Sequence, residues 1–118
     1  MGKVGLTICY DLRFPNLYRK LSKAGCLFIS VPSAFTETTG KKHWHTLLKA
    51  RAIENFCYIF APNQTGKNTI KRETFGHSVI ISPDGKILKL KKFGKGVIYA
   101  KVKPSESMRL RKIIPSLN

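Results

Sequence analysis

The sequence predicts a layered α/β fold, and three observations carry that expectation. Continuous apolar, β-branched runs recur at "KVGLTICY" (3–10), "CLFISVP" (26–32) and "CYIFAPN" (57–63), as strands buried on both faces require. Stretches with helical spacing separate these runs, so the order reads βαβ and then αβ. Beyond residue 76 the strands follow one another around a tight turn, which adds a hairpin to the same sheet.

Each element follows from its residues. The first strand gives way to Pro15, which suits the first helical position because its missing N–H has no partner to lose there. Leu17, Leu21 and Ala24 follow at i, i+4 and i+7, and Gly25 supplies a stop. After "CLFISVP", the stretch "SAFTETTGKK" (33–42) reads as a polar loop. Trp44, Leu47, Leu48 and Ala52 then mark one face of a second helix, with Arg51 and Glu54 placed to pair on its flank. "QTGKNTIKRETFG" (64–76) reads as a thirteen-residue loop. "HSVIIS" and "KILKLKK" flank Pro83-Asp84-Gly85, a hairpin turn, and "KGVIYAKV" (95–102) reads as a last strand with Val97, Tyr99 and Lys101 on one side. The tail predicts a short helix from Ser105 or Ser107 to near Pro115.

Composition narrows the class. A chain of 118 residues with 42% hydrophobic content has room for one domain and a modest core. No apolar run reaches the eighteen residues of a membrane span, and the start shows no signal-peptide pattern, so a cytoplasmic protein without membrane partners is expected. Cys9, Cys26 and Cys57 are odd in number and too far apart for a Cys-x-x-Cys pair; reduced thiols fit best, with Cys26 and Cys57 as small buried hydrophobes. The net charge of +16 suits anionic partners, yet the lysines form no run of five and no basic stripe with aromatics. A lysine-rich solvated surface explains it better than a nucleic-acid partner.

The chemistry centres on "ICYDLRFP" (8–15). Cys9 ends a strand shortly before a helix start, an elbow that exposes a side chain near the positive end of a helix and favours the nucleophilic thiolate. The backbone N–H of Tyr10 is then placed to receive an oxyanion. A buried structural thiol is the competing explanation. Asp11 is expected to secure the turn, and Arg13 either to bind a substrate carboxylate or to brace the turn. His43 and His45 diverge on a helix and make a poor metal pair. Neither His77 nor Glu54 is placed near Cys9 by spacing, so the residues offer a nucleophile without a base.

Taken in order, "GKVGLTICYDLRFPNLYRKLSKAG", "VPSAFTETTGKKHWHTLLKARAIEN", "FGHSVIISPDG" and "RLRKIIP" resemble the C-terminal half of the nitrilase, or carbon–nitrogen hydrolase, superfamily. "CYDLRFP" with "PSAF", "TG…HW" and "RAIEN" looks most like the branch containing deaminated-glutathione amidases and related small-amide hydrolases; "PDG" stands where a proline-tryptophan-glycine turn is commoner. The resemblance implies that residues 1–118 form a partial domain, the C-terminal half of an α-β-β-α sandwich. It implies a Glu–Lys–Cys set in which Cys9 matches the nucleophile, while the glutamate and lysine lie upstream of the matched stretch. Hydrolysis of small non-peptide amides through a cysteine thioester is implied, with no metal or organic cofactor and no activity in this chain alone. The implied partners are a small amide substrate and either a second copy, held through the helices near 15–24 and 43–56, or the N-terminal half. A non-catalytic remnant acting only by association, or a basic nucleic-acid-binding protein, are the alternatives.

Overall fold

In the computed structural model, which describes residues 2–69 and 72–117, a five-stranded mixed sheet carries the fold. The elements are β1 (Lys3–Leu6), a five-residue 3-10 helix (Cys9–Arg13), α1 (Pro15–Lys23), β2 (Cys26–Ser30), α2 (Glu37–Asn55) and β3 (Tyr58–Ala61). They continue with β4 (Thr65–Thr69), β5 (Arg72–Phe75), β6 (Ser78–Ile81), β7 (Ile87–Lys91) and α3 (Pro104–Ile113). The sheet order is β1-β2-β3-β6-β7. The first three strands are parallel, and β6 and β7 run antiparallel to their neighbours. Parallel neighbours need crossovers, and α1 and α2 supply them.

One face of the sheet is the core. Ile29 and Val31, Ile59 and Ala61, and Val79 and Ile81 meet Tyr18 of α1 and Trp44, Leu48 and Ala52 of α2, all essentially buried. The opposite face is open at the β1 edge, where Val4, Leu6 and Ile8 alternate outward with exposures of 46, 77 and 64%. The helices α1 and α2 pack on the core face, while Phe28, Tyr58 and Ile80 of the opposite face are also buried and the Tyr58 hydroxyl accepts the Lys103 N–H just before α3. At the other edge, Lys89, Lys91 and Lys92 guard β7, a common protection against edge-to-edge pairing.

Three expectations are corrected. The stretch 33–42 is not all loop, because α2 begins at Glu37 behind Thr36 as its N-cap. Thr38, Thr39 and Gly40 are poor helix formers, so the sequence argues against this turn. Packing decides otherwise: a Cβ on Gly40 would lie 2.5 Å from Phe75 Cβ, so glycine is what lets β5 close on the helix. The stretch 64–76 is not structureless either; β4 and β5 pair antiparallel, and the Phe75 N–H donates to the Phe35 carbonyl at 2.8 Å. Finally, residues 95–102, expected as a last strand, form no strand ladder among the described residues. Val97 and Tyr99 are 73 and 80% exposed, and no strand among the described residues pairs with their segment.

The tail helix is tied down at its start by the Tyr58 hydroxyl, which accepts the Lys103 N–H at 2.9 Å, beyond its end by Arg19, which donates to the Ser116 carbonyl at 2.9 Å, and along its length by Arg111. Arg111 donates to the carbonyls of Cys26 (2.7 Å) and Asn55 (3.2 Å) and approaches Cys57 Sγ at 3.3 Å. Cys26 and Cys57 are buried free thiols as expected, and burial pushes the Cys57 thiol up, with the Arg111 guanidinium pulling the other way. Among the described residues no helix is long and apolar enough to cross a membrane.

Candidate active site

Cys9 does not end its strand. β1 stops at Leu6, the Thr7 N–H continues the ladder to the Ser30 carbonyl at 3.0 Å, and Ile8 is extended at φ −147°. Cys9 then turns at φ +42°, a left-handed conformation that costs a non-glycine residue about 1–2 kcal/mol. Several contacts hold that strain. The Cys9 N–H donates to the Pro32 carbonyl at 2.9 Å, and the Asp11 carboxylate accepts the Ile8 N–H at 3.0 Å, the turn-securing role expected of it. Leu12 is fully buried, and its carbonyl accepts Nε of the buried Arg51 at 3.0 Å. Arg51 also pairs with Glu54 at 3.4 Å, as expected, and lies over the ring of Tyr18. Tyr18 in turn hydrogen-bonds Thr7 at 2.9 Å, and burial raises its phenol to about 12.

The elbow lies at the carboxyl ends of the three parallel strands, where open α/β sheets place their ligand sites. A cleft of ≈ 510 Å³ opens there, with Cys9, Ser33, Asn63, Gln64, Ser78 and Lys95 as its polar and thiol-bearing lining. A second cavity of ≈ 180 Å³ lies on the other side of Cys9 and takes in Tyr10, Arg13, Phe35 and Thr39. The two cavities share Cys9 and Ala34. Tyr10 stands in the first turn of the 3-10 helix, where a backbone N–H has no intrahelical acceptor. Arg13 donates to His43 Nδ1 at 3.2 Å, and its guanidinium lies 5.5 Å from the Phe35 ring and 5.9 Å from Tyr10. The fold therefore brings Cys9, Tyr10 and Arg13 together and leaves Glu54 and His77 elsewhere.

Asn63 is the wall residue that the sequence did not single out. Its Oδ1 accepts the Phe35 N–H at 2.9 Å and its Nδ2 donates to the Gly76 carbonyl at 2.7 Å. Its own N–H donates to Ser78 Oγ at 2.9 Å. One buried amide thus staples the loops after β2 and before β6 to the end of β3. A polar residue directly after an apolar strand was the available signal; its three partners lie 13, 15 and 28 residues away.

The two histidines of the HxH pair diverge, as expected, but His45 meets His77, their rings 5.6 Å apart. His77 stacks on Phe75 at 3.9 Å. Burial lowers the basicity of His45, the charges of His77 and Lys49 add to the effect, and its buried Nε2 has no hydrogen-bond partner among the described residues. A histidine whose folded pKa lies below its unfolded value makes the unfolded state bind more protons, so stability is kept above about pH 6.5 and lost as pH falls through the folded value. Urea denaturation at pH 7.5 and 5.5 is expected to show an acid loss in midpoint that His45→Gln reduces; an equal loss in the variant would remove His45 as the cause.

Residues 1–112 match the carbon–nitrogen hydrolase family. The chain is 50% identical over 116 residues to a deaminated glutathione amidase of Synechocystis sp. (strain PCC 6803 / GT-S), covering 98% of this chain and 43% of the relative. It therefore spans less than half the length of that relative. Its fold superposes on the crystal structure of the C. elegans NitFhit protein with a TM-score of 0.92 at 43% identity, over 96% of this chain and 27% of that one. It also superposes on a mutant of the amidase from Nesterenkonia sp. AN1, with a TM-score of 0.78 at 25% identity over 95% of this chain and 42% of that one. In that mutant the acetamide moiety of fluoroacetamide is covalently added at the active-site cysteine. A family match across residues 1–112 and a fold shared with solved relatives lead to one conclusion: the chain belongs to the carbon–nitrogen hydrolase family.

Proposed function

We propose that Cys9 is the nucleophile of a hydrolase acting on small non-peptide amides, deaminated glutathione among them, through a cysteine thioester. The observation that carries this reading is the strained, well-braced elbow at Cys9, on the border of two cavities at the carboxyl end of a parallel sheet. The Cys9 sulfur attacks the amide carbon as its proton is removed, forming the S–C bond and a tetrahedral oxyanion. The C–N bond breaks as the amine takes a proton, and water then cleaves the thioester to release the acid and restore the thiol. The first-turn N–H of Tyr10 serves the oxyanion, and Arg13 in the small cavity takes a substrate carboxylate. Its contacts with Phe35, Tyr10 and His43 support a braced cation that still faces the cavity.

The same reading makes this chain inactive alone and assigns it a polypeptide partner. The open sheet face at Val4, Leu6 and Ile8 and the unpaired segment at Val97 and Tyr99 are exposed apolar surface that a complementary polypeptide would cover. Free thiols at Cys9, Cys26 and Cys57 support a reducing compartment such as the cytoplasm.

Alkylation of the folded chain followed by mass mapping tests the nucleophile. Cys9, half-buried at a cleft, is expected to be labelled well before Cys26 and Cys57, which are 6% and 0% exposed. Labelling of Cys26 or Cys57 at an equal or faster rate would overturn the assignment.

A further inference from the structure

We propose that Lys95 is a specificity-determining residue of the Cys9 cleft, selecting amides that carry an anionic group on the arm opposite Arg13. The proposal rests on Cys9 as the nucleophile and concerns the wall that faces it. Among the described residues lining the ≈ 510 Å³ cleft, Lys95 is the one charged side chain. No described carboxylate lines the cleft, and the ion pairs formed by described residues involve Lys41, Arg51 and Arg109 rather than Lys95. Lys95 is exposed at the rim of this cleft, and an ammonium there with no counter-ion among the described residues draws an anionic ligand toward the site.

The loop that presents Lys95 is anchored. Gly94 and Gly96 flank it at φ +84° and +150°, conformations that glycine adopts freely. At the base of the loop the His77 N–H donates to the Lys92 carbonyl at 3.0 Å, one residue from Ser78 of the cleft wall. A Cβ on Gly76 would meet that same carbonyl at 2.2 Å, so the two segments lie as close as backbone allows. A Cβ on Gly96 would lie 2.9 Å from Lys91 Cε and 3.4 Å from its Nζ, so a second ammonium reinforces the field at the loop. Lys91 lines the adjoining cavity of ≈ 280 Å³, which shares Pro62, Ser78, Gly94 and Gly96 with the main cleft.

The two cavities that meet at Cys9 differ in size and each holds a cation: Arg13 in ≈ 180 Å³, Lys95 in ≈ 510 Å³. An amide whose carbonyl carbon sits at Cys9 extends one arm into each. The smaller takes a short arm ending in a carboxylate. The larger takes a longer anionic arm, which Lys95 recognises.

Two alkylating agents that differ in charge test this without any turnover. Iodoacetate and iodoacetamide both form the S–C bond at Cys9 with loss of iodide, and the thiolate fraction cancels in the ratio of their rates. In Lys95→Met the iodoacetate-to-iodoacetamide ratio at Cys9 is expected to fall about three- to tenfold at low salt, the size of one nearby charge. The difference should shrink at high ionic strength. Lys95→Arg should keep the ratio. Lys23→Met, which removes a lysine from the far end of α1, beside the start of β2, should leave it unchanged. An unchanged ratio in Lys95→Met, or an equal fall in Lys23→Met, overturns the role of Lys95 while leaving Cys9 as nucleophile. Absence of labelling at Cys9 by either reagent overturns both.

Discussion

Purified residues 1–118 are expected to hydrolyse no small ω-amide at a rate that Cys9→Ala lowers, although Cys9 itself remains open to alkylation. Turnover asks more of a site than a nucleophile: the leaving amine must gain a proton and the attacking water must lose one. Among the described residues, no Asp, Glu or His lines either cavity at Cys9. The acid–base candidates of the described residues are engaged elsewhere, Glu37 for instance with Lys41 at 3.0 Å. Asp11 accepts the Ile8 N–H, Glu54 pairs with Arg51, His43 engages Arg13, and His77 Nδ1 lies 2.7 Å from the Phe75 carbonyl. A missing acid–base group typically costs about a hundred- to ten-thousandfold, and groups that act as a unit lose nearly everything together. Ammonia release from small ω-amides by the wild-type chain and by Cys9→Ala is the measurement. Substantial release abolished by the substitution would mean that a base reaches Cys9 from within these residues. Adding in trans the portion of the Synechocystis relative outside the matched 43% should restore Cys9-dependent release if a complementary polypeptide supplies the base.

Trp44→Ala is expected to produce the largest loss of stability of any single truncation in α2. The indole is completely buried, its Nε1–H donates to the His77 carbonyl at 2.9 Å, and its ring packs 4.9 Å from that of Phe35. Truncating a buried Trp to Ala costs about 3–5 kcal/mol through lost transfer energy and the cavity left behind. A domain typically holds about 5–15 kcal/mol in all, so the variant should sit near the edge of folding. The same change also frees the carbonyl that orients the residue before Ser78, so the cleft wall should loosen with the core. Chemical denaturation should show a much lower midpoint, with Lys42→Ala on the exposed side of the same helix within about 0.5 kcal/mol of wild type. A Trp44→Ala loss below about 1 kcal/mol would mean that α2 does not seal the sheet in solution.

Local order in the sequence determined a good deal of this protein. The three parallel strands, α1, the Pro83-Asp84-Gly85 hairpin and the two buried cysteines were legible because apolar runs, helical spacing and turn residues are properties of contiguous residues. Cys9 stood out for the same reason, as a thiol between an apolar run and a proline-started helix.

Only the tertiary structure decided the rest, since it turns on contacts between residues far apart in the chain. Thr38, Thr39 and Gly40 argue locally for a loop, yet α2 runs through them because Phe75 packs on the bare Cα of Gly40. The alternation at Val97 and Tyr99 argues locally for a strand, yet a strand needs a partner ladder and none of the described residues provides it. Arg13 and Lys95 are 82 positions apart, and nothing short of closing the sheet places both beside Cys9. Propensity and pattern are written residue by residue, whereas a site is a meeting of side chains whose separation along the chain carries no information about their distance in space.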